Sequence, residues 1–243
     1  MQLQFWKNNI CGLFILCGFL IVVAVLTTFM PHIDLLSHTS DFIGGTLTYL
    51  TYSAGSKGFL ITLSILVLFT TLKTTSKKQW FLLMVQLGVL LVLSFAAKTL
   101  LKEVTQSPRP YTQALTELHL VESPSAFYTL TETAQNSLIE QASEHVSHWR
   151  TIHWQGETDY SFPSGHTVFV ALCLFFFGGL FCKRKQYCAL TILLLWGFGV
   201  AYSRLWLGMH RPEDLLGSAI VVAIIALCIP SANASHRTQT HRL

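Results

Sequence analysis

Three short segments carry most of the side chains in this sequence that could act on a substrate. Lys102 is separated by six residues from Arg109-Pro110, Pro163-Ser164-Gly165-His166 opens an apolar stretch, and Ser203-Arg204 precedes His210, with Asp214 beyond it. A phosphate ester is a dianion whose oxygens point in several directions, so one cation cannot neutralise it. Arginine adds paired hydrogen bonds that match phosphate geometry. Lys102, Arg109 and Arg204 form a set suited to that task. Any one of them alone reads as a side chain snorkelling to a membrane surface. Three together, beside two histidines, argue for an anion site.

Pro163-Ser164-Gly165-His166 has the form of a helix start, with proline in the first turn and glycine allowing close backbone approach. Free amides there bind anions, and Ser164 can add its hydroxyl. An ordinary helix cap would explain the tetrapeptide equally well, except that capping needs no imidazole. His210 and Asp214 are four residues apart, a spacing that sets two side chains on one helical face. A carboxylate bonded to one ring nitrogen fixes the tautomer and leaves the other nitrogen free to attack. The bland alternative is a lone surface ion pair, worth little. If His210 attacks, His166 can protonate the leaving alkoxide, and a covalent phosphohistidine divides one hard step into two.

The elements that must position these residues belong to a membrane. Of the 243 residues 12% are charged and 51% hydrophobic, with mean hydropathy +0.49. Soluble domains carry about 25% charge. A spanning helix needs roughly 20 apolar residues. The stretches at about 10–30, 58–72, 80–101, 163–182, 187–207 and 214–229 predict six spans, the second and last short. The first could instead be a cleaved signal. Its apolar run is longer than a signal core and no small-x-small site follows, so it is read as an anchor.

Lys7, the cluster Lys73, Lys77 and Lys78, the run Lys183-Arg184-Lys185, and Arg237 and Arg242 fall on one side if six spans alternate. The positive-inside rule makes that side cytoplasmic, with both termini on it. All three polar segments then lie at the outer boundary. Ionisable residues there are functional candidates by default.

Residues 102–162 form one long outer segment between the third and fourth spans. Loops that long generally have a function or structure of their own. From Glu132 to Arg150 apolar residues recur at helical spacing, predicting an amphipathic helix and, with its neighbours, a helical cap over the bundle mouth. Trp149 and Trp154 are of the type that sits at a membrane interface. The tail 231–243 is expected to be disordered. The six cysteines fall in spans or at their inner ends, where they read as small packing residues. His145 and His148 lack the partners of a metal site, so no metal is expected. His32, His38, His119, His153, His236 and His241 have no companion motif. The net charge of +4 is too modest to indicate nucleic acid, and no obligate protein partner is evident.

Complete, in order and on one face, the three segments resemble the signature of the membrane branch of the type 2 phosphatidic acid phosphatase superfamily. The resemblance covers roughly residues 80–229. It implies an all-α polytopic membrane protein forming one domain in a bacterial inner membrane, with its site facing the periplasm. Lys102, Arg109, Ser164, Gly165 and Arg204 would bind phosphate, His210 would be the nucleophile, Asp214 its orienter and His166 the general acid. No cofactor or metal is implied. The length of the outer segment, with Phe127-Tyr128-Thr129-Leu130, looks more like the phosphatidylglycerophosphatases of the family than the shorter undecaprenyl-pyrophosphate phosphatases. Both lipids stand as expected substrates. A lipid phosphotransferase, whose motifs would be the same, and a non-catalytic lipid-binding protein are the competing readings. Six apolar spans argue against the family's soluble vanadium haloperoxidases.

Overall fold

The computed structural model describes residues 2–30 and 33–230, with side chains from Asn9 onward. The expected disordered tail, and His32, His236 and His241, lie outside the described residues. Among the described residues every regular element is a helix. The first four are α1 (Gln2–Phe29), α2 (Asp41–Tyr52), α3 (Phe59–Leu72) and α4 (Lys77–Thr105). The outer segment holds α5 (Pro110–Glu117), α6 (Pro124–Phe127), α7 (Glu132–Ala142) and α8 (His148–Trp154). Then come α9 (Gly165–Cys173), α10 (Gly179–Lys183), α11 (Tyr187–Trp206) and α12 (Pro212–Cys228).

Helices begin where the sequence offers an oxygen to free first-turn amides. Ser40, Ser76, Ser123, Thr131 and Ser164 each accept from the amide three residues on, heading α2, α4, α6, α7 and α9. α12 uses proline in its first turn, and Asp214 turns back to accept from the Arg211 amide at 2.7 Å. Its carboxylate is thereby committed to a fixed position before any histidine is considered.

α9 and α10 join through a π-helical turn, Leu174–Gly178, into one rod at the centre of the bundle. Its most apolar stretch is 83% buried, against 22% for that of α1, so the others wrap around it. α1, α4, α11 and α12 supply the packing partners. α1 crosses closest at the π turn. A Cβ on Gly12 would lie 2.3 Å from the Phe175 carbonyl oxygen, and one on Gly179 3.1 Å from the Gly12 Cα. Small residues at the crossing let two backbones meet, which is how helices associate where lipid removes the hydrophobic drive.

The bundle's outer surface carries Phe14, Ile21, Ile65, Leu68, Val92, Leu195 and Ile224 exposed. In water so large an apolar girdle would aggregate; facing lipid it is at equilibrium. α1, α4, the α9–α10 rod and α11 are long and apolar enough to cross a membrane, making this a membrane-spanning chain. α3, with 14 residues, and α12, with 17, are shorter. Arg184 donates to the Thr70 carbonyl and to Thr74 Oγ1, drawing the Lys183–Lys185 run against the α3–α4 turn. Asn9 likewise bonds the carbonyls of Ala226 and Ile229. One end of the bundle thus gathers the basic loops, and the three polar segments lie at the other.

The outer segment has a second core. Tyr111 stacks on Trp154 at 5.0 Å and Phe127 meets Tyr111 edge-on at 5.8 Å, with Ile139, Ala142, Val146 and Met209 packed around them. Three expectations change here. The helix foreseen over 132–150 breaks at residues 143–147 into α7 and α8, since the bend lets both Val146 and Trp154 reach this core. Trp154 is not at an interface but fully buried, its indole donating to the Leu207 carbonyl at 2.7 Å. Trp149 stays partly exposed and donates to Asp41 on α2, a helix in a stretch that reads as loop from sequence. Of the six cysteines, all free, only Cys173 lies in the packed interior; Cys17, Cys188 and Cys228 are exposed.

Gly12 and Gly18 share α1 but differ in surroundings, for a Cβ on Gly18 meets nothing within 4 Å. Gly12→Ala should therefore lower the melting temperature in detergent, while Gly18→Ala leaves it unchanged or raises it through helix propensity. Equal responses would mean that the crossing does not depend on Gly12.

Candidate active site

The chain reverses sharply between Arg204 and His210. Gly208 takes a left-handed conformation (φ +67°), the Gly208 amide bonds the Leu205 carbonyl at 2.9 Å, and the Met209 amide bonds the Arg204 carbonyl at 3.1 Å. This is a Schellman helix end, where glycine carries no Cβ penalty. The His210 amide also reaches the Arg204 carbonyl, at 3.3 Å. Cation and imidazole are therefore spaced by one rigid turn.

Arg204 is fully buried. Its Nη1 donates to Thr51 Oγ1 at 3.0 Å and its Nη2 to Glu157 at 2.9 Å, while Nε has no partner. Arg109 is also buried; its Nε donates to the Asp159 carbonyl at 2.8 Å and its Nη1 to that of Met209 at 3.3 Å. It pairs with the Asp159 carboxylate and lies 3.6 Å from that of Glu157. Lys102, in the last turn of α4, sits 3.0 Å from Asp159 and bonds the Tyr160 carbonyl. Two carboxylates thus bridge three cations, each taking a place that anionic oxygens of a ligand could occupy.

Burial disfavours charge on Glu157, but Arg204 and Arg109 outweigh it and hold its carboxyl well below the usual carboxylate range. Asp159 is lowered in the same way by Arg109 and Lys102 against its burial. For His210 burial comes first, and Arg109 and Arg204 add to it, so the imidazole stays neutral well below its ordinary titration range. A neutral ring keeps a lone pair. His210 Nδ1 lies 3.5 Å from Asp214 Oδ2 and 3.2 Å from Ser161 Oγ.

Several of these groups face a cavity of about 340 Å³, lined by Lys102, Arg109, Glu157, Asp159, His166 and His210. Ala54, Gly55, Ser56, Phe59, Phe95 and Lys98 complete its lining. Gly165 also lines it, and His166 lies so close to Gly55 that a Cβ there would fall 2.5 Å from its Nε2. Ser164 is buried under the cavity floor, its hydroxyl accepting from the Thr167 amide at 3.3 Å and from Thr167 Oγ1 at 3.0 Å. The site side chains singled out from the sequence are thus gathered at one end of the bundle, where Ser164 also caps its own helix.

The three segments also fall within a known family's pattern, for residues 83–236 match the model of the PAP2 superfamily. The chain belongs to the PAP2 superfamily. It is similar to phosphatidylglycerophosphatase B of Escherichia coli, with 35% identity over 147 residues, 59% of this chain and 58% of that protein. The protein of the same name from Haemophilus influenzae is 32% identical over 186 residues, covering 73% of this chain and 77% of the relative. The chain thus spans somewhat over half the length of the Escherichia coli relative it matches.

Sequence reasoning missed several residues around this candidate site. Glu157 and Asp159 read as loop charges, although three cations at a membrane boundary call for counter-charge nearby. Ser161, fully buried against His210, carried no signal beyond its closeness to Pro163. His153, one of the unaccompanied outer histidines, is buried beside Tyr52 and bonded to Thr48 Oγ1 at 3.1 Å; burial and the nearby Arg204 lower its pKa to about 4. His38, His145 and His148 line a separate cavity over the outer segment.

Because its carboxyl is lowered in the folded state, Glu157 stabilises the fold fully above the ordinary glutamate value of 4.5, and that contribution fades as pH falls below it. Glu157→Gln should lower the melting temperature at neutral pH, with the gap from wild type narrowing as pH is taken below 4.5. A gap independent of pH would show that the ion pairs with Arg109 and Arg204 do not form in solution.

Proposed function

We propose that this chain is a lipid phosphatase that removes phosphate from a membrane lipid through a phosphohistidine intermediate, with no metal required. The observation that carries the reading is the gathering of Lys102, Arg109 and Arg204 around Glu157 and Asp159, beside a cavity lined by Lys102, Arg109, both carboxylates, His166 and His210. The cations take the phosphate oxygens, displacing the carboxylates of Glu157 and Asp159, and electrostatic stabilisation of this kind is generally the largest catalytic contribution. His210 attacks phosphorus through Nε2 as the bond to the leaving oxygen breaks, and His166 gives that oxygen its proton. Water then attacks the phosphohistidine, passing a proton to His166 and releasing inorganic phosphate.

In this reading six spans cross a bacterial inner membrane, with the site on the periplasmic face; the gathering of the basic loops at the opposite end supports it. The named relatives favour phosphatidylglycerophosphate as substrate, giving phosphatidylglycerol. Undecaprenyl pyrophosphate is the second substrate, because a site that grips mainly phosphate accepts more than one lipid.

Purified protein in detergent with excess EDTA should release phosphate from phosphatidylglycerophosphate. His210→Ala should lower release by roughly 10³-fold or more, and Asp214→Asn by up to about 10⁴-fold, the size of the tautomer effect in a serine triad. Full activity of the His210 variant would overturn the phosphohistidine route. Release that collapses in EDTA and returns with a divalent ion would overturn the metal-free one. Asp159→Asn, which removes a carboxylate competing for Lys102 and Arg109, should lower KM with little change in kcat; a raised KM would mean that Asp159 assists binding.

A further inference from the structure

We infer that Ser161 is a positioning residue for His210, its hydroxyl standing between the imidazole and Asp214 and fixing which ring nitrogen is free to attack. The inference rests on the phosphatase reading for its kinetic consequence, but its geometry does not.

Asp214 is poorly placed to orient the ring unaided. The separation of His210 Nδ1 from Asp214 Oδ2, 3.5 Å, is at the outer limit of a hydrogen bond. Oδ2 already accepts from the Arg211 amide at 2.7 Å, and Oδ1 has no partner. Ser161 Oγ fills the gap, lying 3.2 Å from Nδ1 and donating to Asp214 Oδ2. A hydroxyl has one proton to donate and lone pairs to accept. The Met209 carbonyl also lies within reach, at 3.3 Å, but the carboxylate is the nearer and stronger acceptor for that proton. The Ser161 lone pair is then left for a proton on Nδ1. The resulting order is His210 Nδ1–H to Ser161 Oγ, then Ser161 O–H to Asp214. Nε2 keeps its lone pair for phosphorus, and the carboxylate stabilises the positive charge of the phosphorylated ring through one hydroxyl, with no proton leaving the ring.

The backbone holds this side chain in place from all three segments. The Ser161 amide donates to the Ser107 carbonyl at 2.8 Å, two residues before Arg109. Ser161 lies in the chain just ahead of Pro163-Ser164-Gly165-His166, and its hydroxyl meets Met209, His210 and Asp214. It is fully buried, so water cannot replace the hydroxyl without a cavity being opened.

The test is Ser161→Ala, with Ser161→Cys to keep the volume if the alanine variant does not fold. Removing one hydrogen bond to a charged group should lower kcat by roughly 10–100-fold with KM little changed. In an Asp214→Asn background the same change should cost far less, since both residues act on one ring. Nitrogen-15 spectra of histidine-labelled protein should report His210 with its proton on Nδ1 in wild type, and a mixed tautomer in the folded Ser161 variant. That spectrum is independent of turnover, so it decides the positioning role even if neither lipid is hydrolysed. An unchanged tautomer, or kcat losses that multiply fully with Asp214→Asn, would reduce Ser161 to a packing residue and overturn the inference.

Discussion

Burying three cations at the edge of a membrane is the constraint around which the rest of this structure is arranged. An unpaired charge taken from water costs several kcal/mol even after relaxation. Lys102, Arg109 and Arg204 are nearly inaccessible, yet no acidic residue precedes them on their own segments closely enough to compensate. Compensation comes from Glu157 and Asp159, two residues apart on the strip of chain leading into α9. The outer segment is therefore part of the site and not only a cover: its second core fixes the strip, and the strip neutralises the cations.

Desolvation has opposite effects on the two kinds of group. It strengthens every ion pair around Glu157, and it keeps the His210 ring neutral. Strong ion pairs and an uncharged imidazole both follow from one exclusion of water. The cationic cluster also places positive charge beside His210, which opposes protonation of the ring further. The cationic cluster and the neutral ring are thus two sides of the same electrostatic arrangement.

Much of this was legible in the sequence because the relevant signals are local. A helix cap at Ser164, a proline at the head of α12 and apolar runs of spanning length each depend on a few neighbouring residues. The joining of the three segments followed from alternation across the membrane. Features that depend on long-range apposition stayed hidden. Nothing near Ser161 reveals that it will lie against a histidine 49 residues away. Helical periodicity ran on through residues 143–147 because Val146 and Trp149 kept the pattern, whereas the break is imposed by a core shared with Trp206 and Met209. Trp154 matched an interface residue in type, but the Leu207 carbonyl supplied the partner that headgroups would otherwise provide.

The Schellman turn at Gly208 ties His210, which lines the cavity, to the buried Arg204. Arg204 and His210 share one carbonyl as their reference point, so neither can be moved a fraction of an ångström without the other. A change of shape in that turn would shift the His210 ring as well. The cavity is lined also by Ala54, Gly55 and Ser56 between α2 and α3, and by Phe95 on α4, none of which belongs to that turn. Relatives with the same chemistry and different lipids would be expected to diverge there, while the turn between α11 and α12 stays constant in length.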